Sequence, residues 1–400
     1  MRQTGEVPLS KPRRLQKLAA AVFTTMDEAR KRKLATGAEV INLSIGSPDL
    51  PPAAHILEAL ARAARDPENY GYPMRDLPAF REAVVQEYQR RFGVGLDPDS
   101  EVLGLTGSQE GLAHITQALT DPGDLVLVPD PGYPIYTAGP VLAGAELYPV
   151  ALKAERGYLP DLEALPEEVK RRARLLVLNY PSNPLAATVP PGFFEQVVAF
   201  ARRYGTVILH DAAYSELTFD GYRPPSFLET PGAKEVGLEF NSLSKTYNLA
   251  GARVAYAVGN ARLIGLLAEV KAHLDYGLFR PIQHAAIAAL NGPRDCVTEM
   301  ALTYQRRRDV LVGGLNRLGW AVPKPKATMF CWAPVPRGFE SSLAFAMALL
   351  ERTGVTVVPG SGFGAMGEGS VRIALVQSEE RLARAVEWIG RSGILEPRAR

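Results

Sequence analysis

Short apolar runs alternate with segments of helical periodicity over the middle of the chain, from Glu101 to about Gly259. The apolar runs are rich in Val and Leu, and they are EVLGLTG, DLVLVPD, RLLVLNYP, TVILHDAAY, VGLEFNSLSK and RVAYAVG. Patterns typical of helices, such as SQEGLAHITQAL and GFFEQVVAFARRY, lie between them. Buried strands joined by helices indicate βαβ units, so this region is predicted to form a mostly parallel sheet covered on both faces.

The pattern changes from about Gly292 onwards. A long helical segment, CVTEMALTYQRRRDVLVGGLNRL, precedes FCWAPV, a second helix, VTVVPG, VRIALV and a last helix. This order predicts a smaller α+β domain, and the helix followed by EVINLSIG near the start of the chain is expected to pack with it. We therefore predict an α/β protein with an N-terminal segment 1–44, a large domain 45–291 and a small domain 292–400.

The composition is that of an ordinary globular enzyme rather than a nucleic-acid-binding or membrane protein. The chain has 400 residues, of which 46% are hydrophobic and 22% charged, and its formal net charge is +2. Two basic clusters, at 30–33 and 306–308, fall within helical patterns and are interpreted as solvated helix faces, with Asp27–Lys31 and Glu28–Arg32 pairs expected on the first. No apolar run approaches the roughly 18–20 residues of a membrane span.

Cysteine usage and the N-terminal sequence favour a cytoplasmic protein. The two cysteines, Cys296 and Cys331, lie far apart and without metal-ligand spacing, which is typical of a reduced compartment. The apolar segment after Leu18 is short and runs into DEARKRK, so no signal peptide is expected.

Polar side chains follow the predicted strands at the edge where ligands bind in open α/β sheets. Gly107, Ser108 and Gln109 follow the first strand and begin a helix, whose free backbone N–H groups suit a phosphate. The alternative is that Ser108 is a simple helix N-cap.

The next strand ends carry Asn183, Asp211 with Tyr214, and Lys245, while Arg253 opens the strand after that. Taken singly, Asp211 is explained as a helix cap and Lys245 as a surface residue. Together they form one crevice with the chemistry that pyridoxal 5′-phosphate (PLP) requires. A lysine amine can hold the aldehyde, a carboxylate can keep the pyridine nitrogen protonated, and backbone N–H, hydroxyl and guanidinium groups can hold the phosphate.

Several motifs in this order and spacing resemble the class I/II PLP-dependent aminotransferases of fold type I. They are NYPSNP, HDAAYSE, SLSKTYNLAGARVAYAVGN and VRIAL, and the resemblance runs from about Leu15 to the C-terminal helix. PENYGYP, LVPDPGYPIY, HDAAYSELTFDGYRPPSFLE and GAKEVGLEFNSLSKTYN resemble in particular the LL-diaminopimelate aminotransferase-like branch. The resemblance implies a large domain with a mostly parallel mixed sheet and a smaller α+β domain.

The resemblance also implies a role for each matching residue. Lys245 would be the Schiff-base lysine and the proton shuttle, and Asp211 would pair with the pyridine nitrogen. The remaining roles concern the cofactor and the substrate. Tyr214 and Asn183 would form hydrogen bonds with the ring oxygen, and Tyr133 would stack on the ring. The phosphate would be bound by Ser108, Gln109, Ser242, Ser244 and Arg253, and Tyr72 would contact the phosphate in the partner subunit. Arg372 would bind the substrate α-carboxylate, with help from Asn183 and the backbone of Gly46.

A homodimer follows from the Tyr72 match, and an L-amino acid and a 2-oxo acid, such as 2-oxoglutarate or pyruvate, are the implied substrates. The donor remains open between LL-diaminopimelate and alanine-, aspartate- or glutamate-type amino acids. Other functions remain as alternatives, namely a β-eliminating lyase or an α-oxoamine synthase of the same fold, and a non-catalytic PLP-binding regulator. The regulator is disfavoured because the residues before Leu15 are too few for a DNA-binding module.

The chain departs from the family pattern at several positions, which bears on the donor. Leu185 and Ala186 replace the usual Thr-Gly after Asn-Pro, and Ala21 stands where diaminopimelate-specific enzymes have an aromatic residue that contacts substrate. Arg280 and Pro281 are also unusual.

Two further patterns are interpreted as structural. Gly362, Gly364 and Gly367 match the spacing GxGxxG, but a strand follows them, so a turn is expected rather than a dinucleotide site. No metal is predicted, because the histidines, such as His114, lack ligand spacing. His210 is expected to pack beside the cofactor.

Overall fold

A computed structural model describes residues 10–18 and 21–396 of the chain. The strands are β1 (Ile41–Asn42), β2 (Val102–Leu105), β3 (Leu125–Asp130), β4 (Glu146–Ala151), β5 (Ala173–Asn179), β6 (Val207–Asp211), β7 (Gly237–Ser242), β8 (Ala255–Gly259), β9 (Phe330–Pro334), β10 (Val355–Thr356), β11 (Val358–Pro359) and β12 (Ser370–Ala374). The helices are α1 (Arg13–Gln16), α2 (Ala21–Ala35), α3 (Ala54–Ala64), α4 (Pro78–Phe92), α5 (Ser108–Leu119), α6 (Ile135–Ala143), α7 (Glu167–Arg172), α8 (Phe193–Tyr204), α9 (Ala233–Val236), α10 (Leu243–Thr246), α11 (Ala261–Leu274), α12 (Arg280–Asn291), α13 (Asp295–Arg317), α14 (Ser342–Thr353) and α15 (Glu379–Arg391).

A seven-stranded sheet has the order β2-β8-β7-β6-β5-β3-β4. β8 runs antiparallel to both of its neighbours, β2 and β7, and the other paired strands run parallel. The carboxyl ends of β5, β6 and β7 therefore meet at one edge, where Asn179 is in register with Asp211 and Asp211 with Phe240. This topology confirms the predicted mostly parallel mixed sheet.

Helices cover both faces of this sheet because its strands are apolar on both sides. In β5, Leu175 and Val177 belong to a core cluster with the apolar residues of α5, whereas Leu176 and Leu178 belong to a cluster with those of α8. All four side chains are at most 3% exposed. Burial of one such side chain stabilises the fold by about 1.5–3 kcal/mol.

A second group of elements has its own core. β9, β12 and β11 form an antiparallel sheet, and β1 pairs in parallel with β10. Leu311 of α13, Phe345 of α14 and Ile373 of β12 are buried together in this core. These elements confirm the predicted small α+β part, and the boundaries at 44/45 and 291/292 stay a prediction.

The interpretation of 306–308 as a solvated helix face is wrong for two of its three arginines. The Arg308 side chain is fully buried, and its two terminal nitrogens donate to the carboxylate of Asp220 at 2.6 and 3.0 Å. Arg307 is also buried and donates to both oxygens of Asp49, at 2.7 and 2.8 Å. The charges are tolerated inside because each guanidinium faces a matching carboxylate.

Of the two surface pairs predicted at the other basic cluster, Asp27–Lys31 is confirmed, since Lys31 Nζ lies 2.7 Å from Asp27 Oδ2. Glu28 and Arg32 form no ion pair within the described part of the chain. Among the helices of the described residues, none is both long and apolar enough to cross a membrane.

Candidate active site

A cavity of about 370 Å³ opens at the carboxyl ends of β5, β6 and β7. Its wall includes all of the predicted site residues except Tyr72. These are Gly46, Ser108, Gln109, Tyr133, Asn183, Asp211, Tyr214, Ser242, Ser244, Lys245, Arg253 and Arg372. The cavity therefore combines residues from both sheets, with Arg372 from β12 facing side chains at the ends of the large-sheet strands.

The start of α5 forms one polar wall of the cavity. Gly107 is the N-cap residue with a left-handed φ of 83°, and Ser108 is the first helical residue. The alternative that Ser108 caps the helix is therefore wrong. A Cβ atom at Gly107 would overlap with the Arg253 guanidinium, so glycine is required for this close approach. Arg253 itself has a φ of 55° and precedes β8, which corrects the expectation that it opens that strand.

The end of β7 places two hydroxyl groups and the lysine beside each other. Ser242 ends the strand, and its Oγ accepts a hydrogen bond from the backbone N–H of Ser244 at 3.1 Å. This bond caps the single turn of α10, which carries Lys245. The local sequence Ser-x-Ser-Lys thus turns three polar side chains towards one cavity.

Lys245 faces a carbonyl group and two guanidinium groups. Its Nζ donates a hydrogen bond to the Gly46 carbonyl oxygen at 2.6 Å. Burial lowers the pKa of Lys245 to about 8, and the nearby charges of Arg372 and Arg253 act in the same direction. The alternative that Lys245 is an ordinary surface lysine is therefore wrong, because its amine is enclosed in the cavity wall and more easily deprotonated.

Asp211 is the buried carboxylate of the cavity and is only 5% exposed. Its Oδ2 accepts a hydrogen bond from the Tyr136 hydroxyl at 2.8 Å, and its Oδ1 accepts one from the backbone N–H of Ala213 at 3.2 Å. Burial raises the pKa of Asp211, whereas the Tyr136 bond opposes this effect. Turns rather than a helix follow Asp211, so the helix-cap alternative is also wrong.

Asn179, which sequence reasoning did not identify, ties two predicted residues together. Its Nδ2 donates to the Asp211 backbone carbonyl at 2.8 Å, and its Oδ1 accepts from the Asn183 backbone N–H at 2.7 Å. Tyr136 was missed as well. Asn179 ends β5 and so carried the same strand-end signal as the predicted residues, whereas Tyr136 reaches Asp211 from α6 and carried none.

Arg372 lies between two aromatic rings. Its guanidinium carbon is 4.2 Å from the ring centroid of Phe330 and 4.8 Å from that of Phe363. Nη1 donates to Asn183 Oδ1 and Nη2 to the Ser44 carbonyl oxygen, each at 2.8 Å, while the buried Nε has no partner among the described residues. Burial lowers the pKa of Arg372 to about 10. The planar fork is thus positioned as an anion-binding group, and the two Phe residues were not predicted.

The hydroxyl groups of two cavity tyrosines have side-chain partners. Asn183 Nδ2 donates to the Tyr214 hydroxyl at 3.4 Å, and burial raises the pKa of Tyr214. The Tyr133 hydroxyl donates to Gln109 Oε1 at 3.1 Å. Both phenols are therefore neutral hydrogen-bonding groups around neutral pH.

Tyr72 lies apart from the cavity in the single chain. It is 76% exposed, and its ring packs against Tyr276 with 5.3 Å between the centroids. Nearby, Arg280 begins α12 and donates to the Glu68 carbonyl oxygen at 2.8 Å. Leu185 is buried, and Ala186 has a φ of 54°, while the side chain of Ala21 lies outside the described residues.

His210 does not pack in the cavity, contrary to expectation. Successive residues of a strand point to opposite faces, so His210 points away from the Asp211 side of β6. Its Nδ1 lies 2.9 Å from Glu239 Oε2 in a fully buried network that also includes Tyr88 and Ser226. The glycine pattern at 362–367 lies in 3₁₀ turns before β12, as expected.

The cavity residues fit PLP by the chemistry of their donors. Ser108, Ser242, Ser244 and Arg253 supply hydroxyl and guanidinium donors beside the N-terminus of a 12-residue helix, which suits a phosphate dianion. Asp211 supplies a buried acceptor for a protonated ring nitrogen, and Lys245 supplies an amine for the aldehyde. Because Gly107 has no Cβ atom, the Arg253 guanidinium has room beside the start of α5.

Comparisons with known proteins identify the family of this chain. The family described as aminotransferase class I and II matches residues 38–389. An LL-diaminopimelate aminotransferase from Moorella thermoacetica is 50% identical over 388 residues, 96% of this chain and 98% of that protein. The substrate-bound structure of BacF from Bacillus subtilis is 40% identical and superposes with a TM-score of 0.92 over 96% of this chain and 98% of its own.

A probable N-succinyldiaminopimelate aminotransferase from Thermus thermophilus is also 40% identical, with a TM-score of 0.88 over 93% of this chain and all of that one. The family matches most of this chain, and these relatives align with the chain over nearly their whole length. The chain therefore belongs to the class I and II aminotransferases, enzymes that use pyridoxal 5′-phosphate to move an amino group between an amino acid and a 2-oxo acid.

Proposed function

We propose that this aminotransferase uses LL-diaminopimelate as its amino donor and 2-oxoglutarate as its acceptor. The observation that carries the proposal is the set of relatives named LL-diaminopimelate aminotransferase, which are 44–50% identical to this chain over at least 94% of its length. The absence of the aromatic residue expected at Ala21 argues against it, so the donor needs a direct test.

The proposed cofactor contacts follow from the donors in the cavity. PLP, when bound, supplies an aldehyde that joins to an amine and a ring that stabilises negative charge at the substrate α-carbon. Ser108, Ser242, Ser244 and Arg253 hold the phosphate together with Gln109. Asp211, held by Asn179 and Tyr136, keeps a proton on the ring nitrogen, since a buried carboxylate stabilises the cation beside it.

Asn183 and Tyr214 donate hydrogen bonds to the phenolic oxygen of the ring, and Tyr133 packs against the ring face. These three side chains already contact neighbours in the cavity wall, so they restrict the position of the ring without a large change of conformation. Positioning of this kind lowers the entropy lost on reaching the transition state.

Lys245 is the proposed base and acid. A lysine with a pKa of about 8 is partly unprotonated near neutral pH, so Nζ can accept the proton from the substrate α-carbon. The protonated amine can then act as the acid and donate that proton. Arg372 binds the α-carboxylate with its planar fork, and Asn183 and the Gly46 backbone assist it. The two aromatic rings hold the fork in one plane.

Exposed aromatic and apolar residues support a homodimer as the active form. Tyr70, Tyr72, Met74, Tyr276 and Phe279 are each at least 41% exposed, and they come from two neighbouring segments of the chain. A patch of this kind on an isolated chain favours an interface. In the dimer, Tyr72 would contact the phosphate in the partner subunit.

The cytoplasmic location and the three-segment division of the chain also remain proposals.

Three competing donors and one competing reaction can be tested with the same purified protein. The purified PLP-loaded protein is incubated with 2-oxoglutarate and LL-diaminopimelate, N-succinyl-diaminopimelate, alanine or aspartate, and the glutamate formed is measured. The succinylated donor is included because of the Thermus protein. Glutamate formed fastest from LL-diaminopimelate supports the proposal, and faster turnover of another donor contradicts it. A β-eliminating lyase is tested with S-methylcysteine, which carries a leaving group on its β-carbon, in the absence of a 2-oxo acid, and continued release of pyruvate and ammonia would indicate that reaction.

A further inference from the structure

A second cavity of about 300 Å³ lies beside the first and shares Phe23, Gly46 and Arg372 with it. The remaining wall of this second cavity includes polar groups from Asp27, Arg30, Asn42 and Ser44 and apolar groups from Met26, Ile45 and Val358. Because Arg372 borders both cavities, a substrate whose α-carboxylate binds there can extend its side chain into the second one.

One face of α2 forms the wall opposite β1 in this cavity. Phe23, Met26, Asp27 and Arg30 follow the spacing i, i+3, i+4 and i+7, which places them on the same side of the helix. Phe23 also packs edge-on against Phe363, one of the two rings that hold Arg372, with 5.5 Å between the centroids. The helix therefore contacts both cavities through one set of side chains.

The charges on this face favour an anion. Asp27 Oδ1 accepts from Arg30 at 2.6 and 3.2 Å, and Asp27 Oδ2 lies 2.7 Å from Lys31 Nζ. These bonds, that from Lys31 foremost, lower the pKa of Asp27. The charged groups that line this cavity are therefore the cations of Arg30 and Arg372 and the anion of Asp27, which leaves one net positive charge. Within the described residues, Nη1 of Arg30 makes no hydrogen bond, which leaves donors for a further acceptor.

We propose that Arg30 determines substrate specificity by binding the carboxylate at the far end of the substrate side chain. Arg372 then holds the α-carboxylate and Arg30 the distal one, so the enzyme selects dicarboxylic amino and 2-oxo acids. A guanidinium suits this task because its fork matches a carboxylate, and Asp27 fixes the Arg30 side chain before the substrate arrives. The proposal rests on the proposed function, since it requires that Arg372 binds the α-carboxylate.

The shared chemistry, a distal carboxylate, occurs in LL-diaminopimelate, in glutamate and in 2-oxoglutarate. Of these three compounds, only LL-diaminopimelate carries an ammonium group on the carbon next to the distal carboxylate. The Asp27 carboxylate beside Arg30 can accept a hydrogen bond from that group. The longer substrate also needs a separate cavity for its side chain, and the second cavity supplies the space.

Binding of unreactive acids tests the proposal without turnover. Titration calorimetry of the PLP-loaded wild-type protein should give a Kd for pimelate, a seven-carbon dicarboxylate, about 10- to 100-fold lower than that for heptanoate, the monocarboxylate of the same length. In Arg30→Gln the heptanoate-to-pimelate ratio of Kd values should fall to near one, and in Arg30→Lys it should be partly kept. Lys31→Gln is the matched control, since it removes the same charge from the same helix but from a side chain that does not line the cavity.

Transamination kinetics then show which amino donors depend on Arg30. For Arg30→Gln, kcat/KM should fall about 10- to 100-fold for LL-diaminopimelate and glutamate and stay unchanged for alanine. A heptanoate-to-pimelate ratio of Kd values that is near one in the wild type, or that Arg30→Gln leaves unchanged, overturns the proposal. If the wild type prefers glutamate to LL-diaminopimelate while the ratio depends on Arg30, the proposed donor is wrong and the role of Arg30 stands.

Discussion

Nζ of Lys245 donates a hydrogen bond to the backbone carbonyl oxygen of Gly46, 2.6 Å away and 199 residues earlier in the chain. Gly46 belongs to the loop after β1, and Asp49 in the same loop is held by buried Arg307 of α13. Lys245, at the end of the large sheet, therefore contacts the loop after β1, and α13 of the small α+β part holds that loop in place.

Lys245→Ala should abolish transamination while the protein still folds. We expect kcat to fall by at least about 10²–10⁴-fold, the usual contribution of a positioned acid or base, because no other lysine lies among the described residues that line the cavity. Steady-state glutamate formation measures the loss, and circular dichroism melting curves measure folding. Lys31→Ala, at an exposed lysine, is the control and should keep full activity. Near-normal turnover by Lys245→Ala would refute the role given to this residue.

The amine of Lys245 should titrate near pH 8 in the cofactor-free protein. Burial and two neighbouring guanidinium groups disfavour its charged form, so the neutral amine appears well below the ordinary lysine pKa of about 10.4. Competitive labelling with acetic anhydride between pH 6 and 11, followed by mass spectrometry, gives the midpoint for the Lys245 peptide. Arg372→Gln should move this midpoint upwards, since a neighbouring cation is lost. A midpoint above 10 in the wild type would contradict the prediction.

Much of the large sheet and most of the site could be predicted from the sequence for one physical reason. Parallel strands buried on both faces are continuous apolar runs, and their carboxyl ends meet at one edge. Polar residues directly after those runs, such as Asp211 and Lys245, must therefore lie close together. Arg372 was placed by resemblance alone, because its strand belongs to the other sheet and no local pattern relates the two.

The features that could not be predicted depend on which elements pack against each other. Phe330 and Phe363 were ordinary apolar residues in the sequence, and their role arises only because β12 brings Arg372 between them. Arg307 and Arg308 have the spacing of a solvated helix face, yet Asp49 and Asp220 reach them from distant loops. Helical periodicity gives no information about such partners.

Gly107→Ala should weaken cofactor binding rather than the fold. The new Cβ would overlap with the Arg253 guanidinium, and a non-glycine residue with a φ of 83° and a ψ of 150° costs about 1–3 kcal/mol. The Kd for PLP, measured by fluorescence titration, should rise about tenfold or more because a phosphate donor is displaced. Gly123→Ala is the matched control, since its φ is also positive but open space surrounds it. Equal PLP affinity in the two variants would show that Arg253 does not hold the cofactor.

Arg372→Lys should reduce activity towards every α-amino acid alike. The ammonium group cannot reproduce the planar fork that bonds to Asn183 and Ser44, so we expect kcat/KM to fall about 10- to 100-fold. Donor panels with alanine, glutamate and LL-diaminopimelate measure the change, and Arg306→Lys, the same exchange at an exposed arginine, is the control. A loss confined to the dicarboxylic donors would assign Arg372 to the side chain and contradict its proposed role.

Met74→Glu should shift the protein from dimer to monomer and lower its activity. Met74 is 63% exposed and lies two residues after Tyr72 in the aromatic patch, so an interface there would bury the new carboxylate without a partner. Because an unpaired buried charge is costly, the dissociation constant of the dimer should rise about 100-fold or more. Sedimentation velocity over a concentration series measures this constant. Met366→Glu, at a methionine that is 43% exposed elsewhere, should leave it unchanged. If Met74→Glu stays as dimeric as the wild type, the patch is not the interface and Tyr72 cannot reach the partner subunit through it.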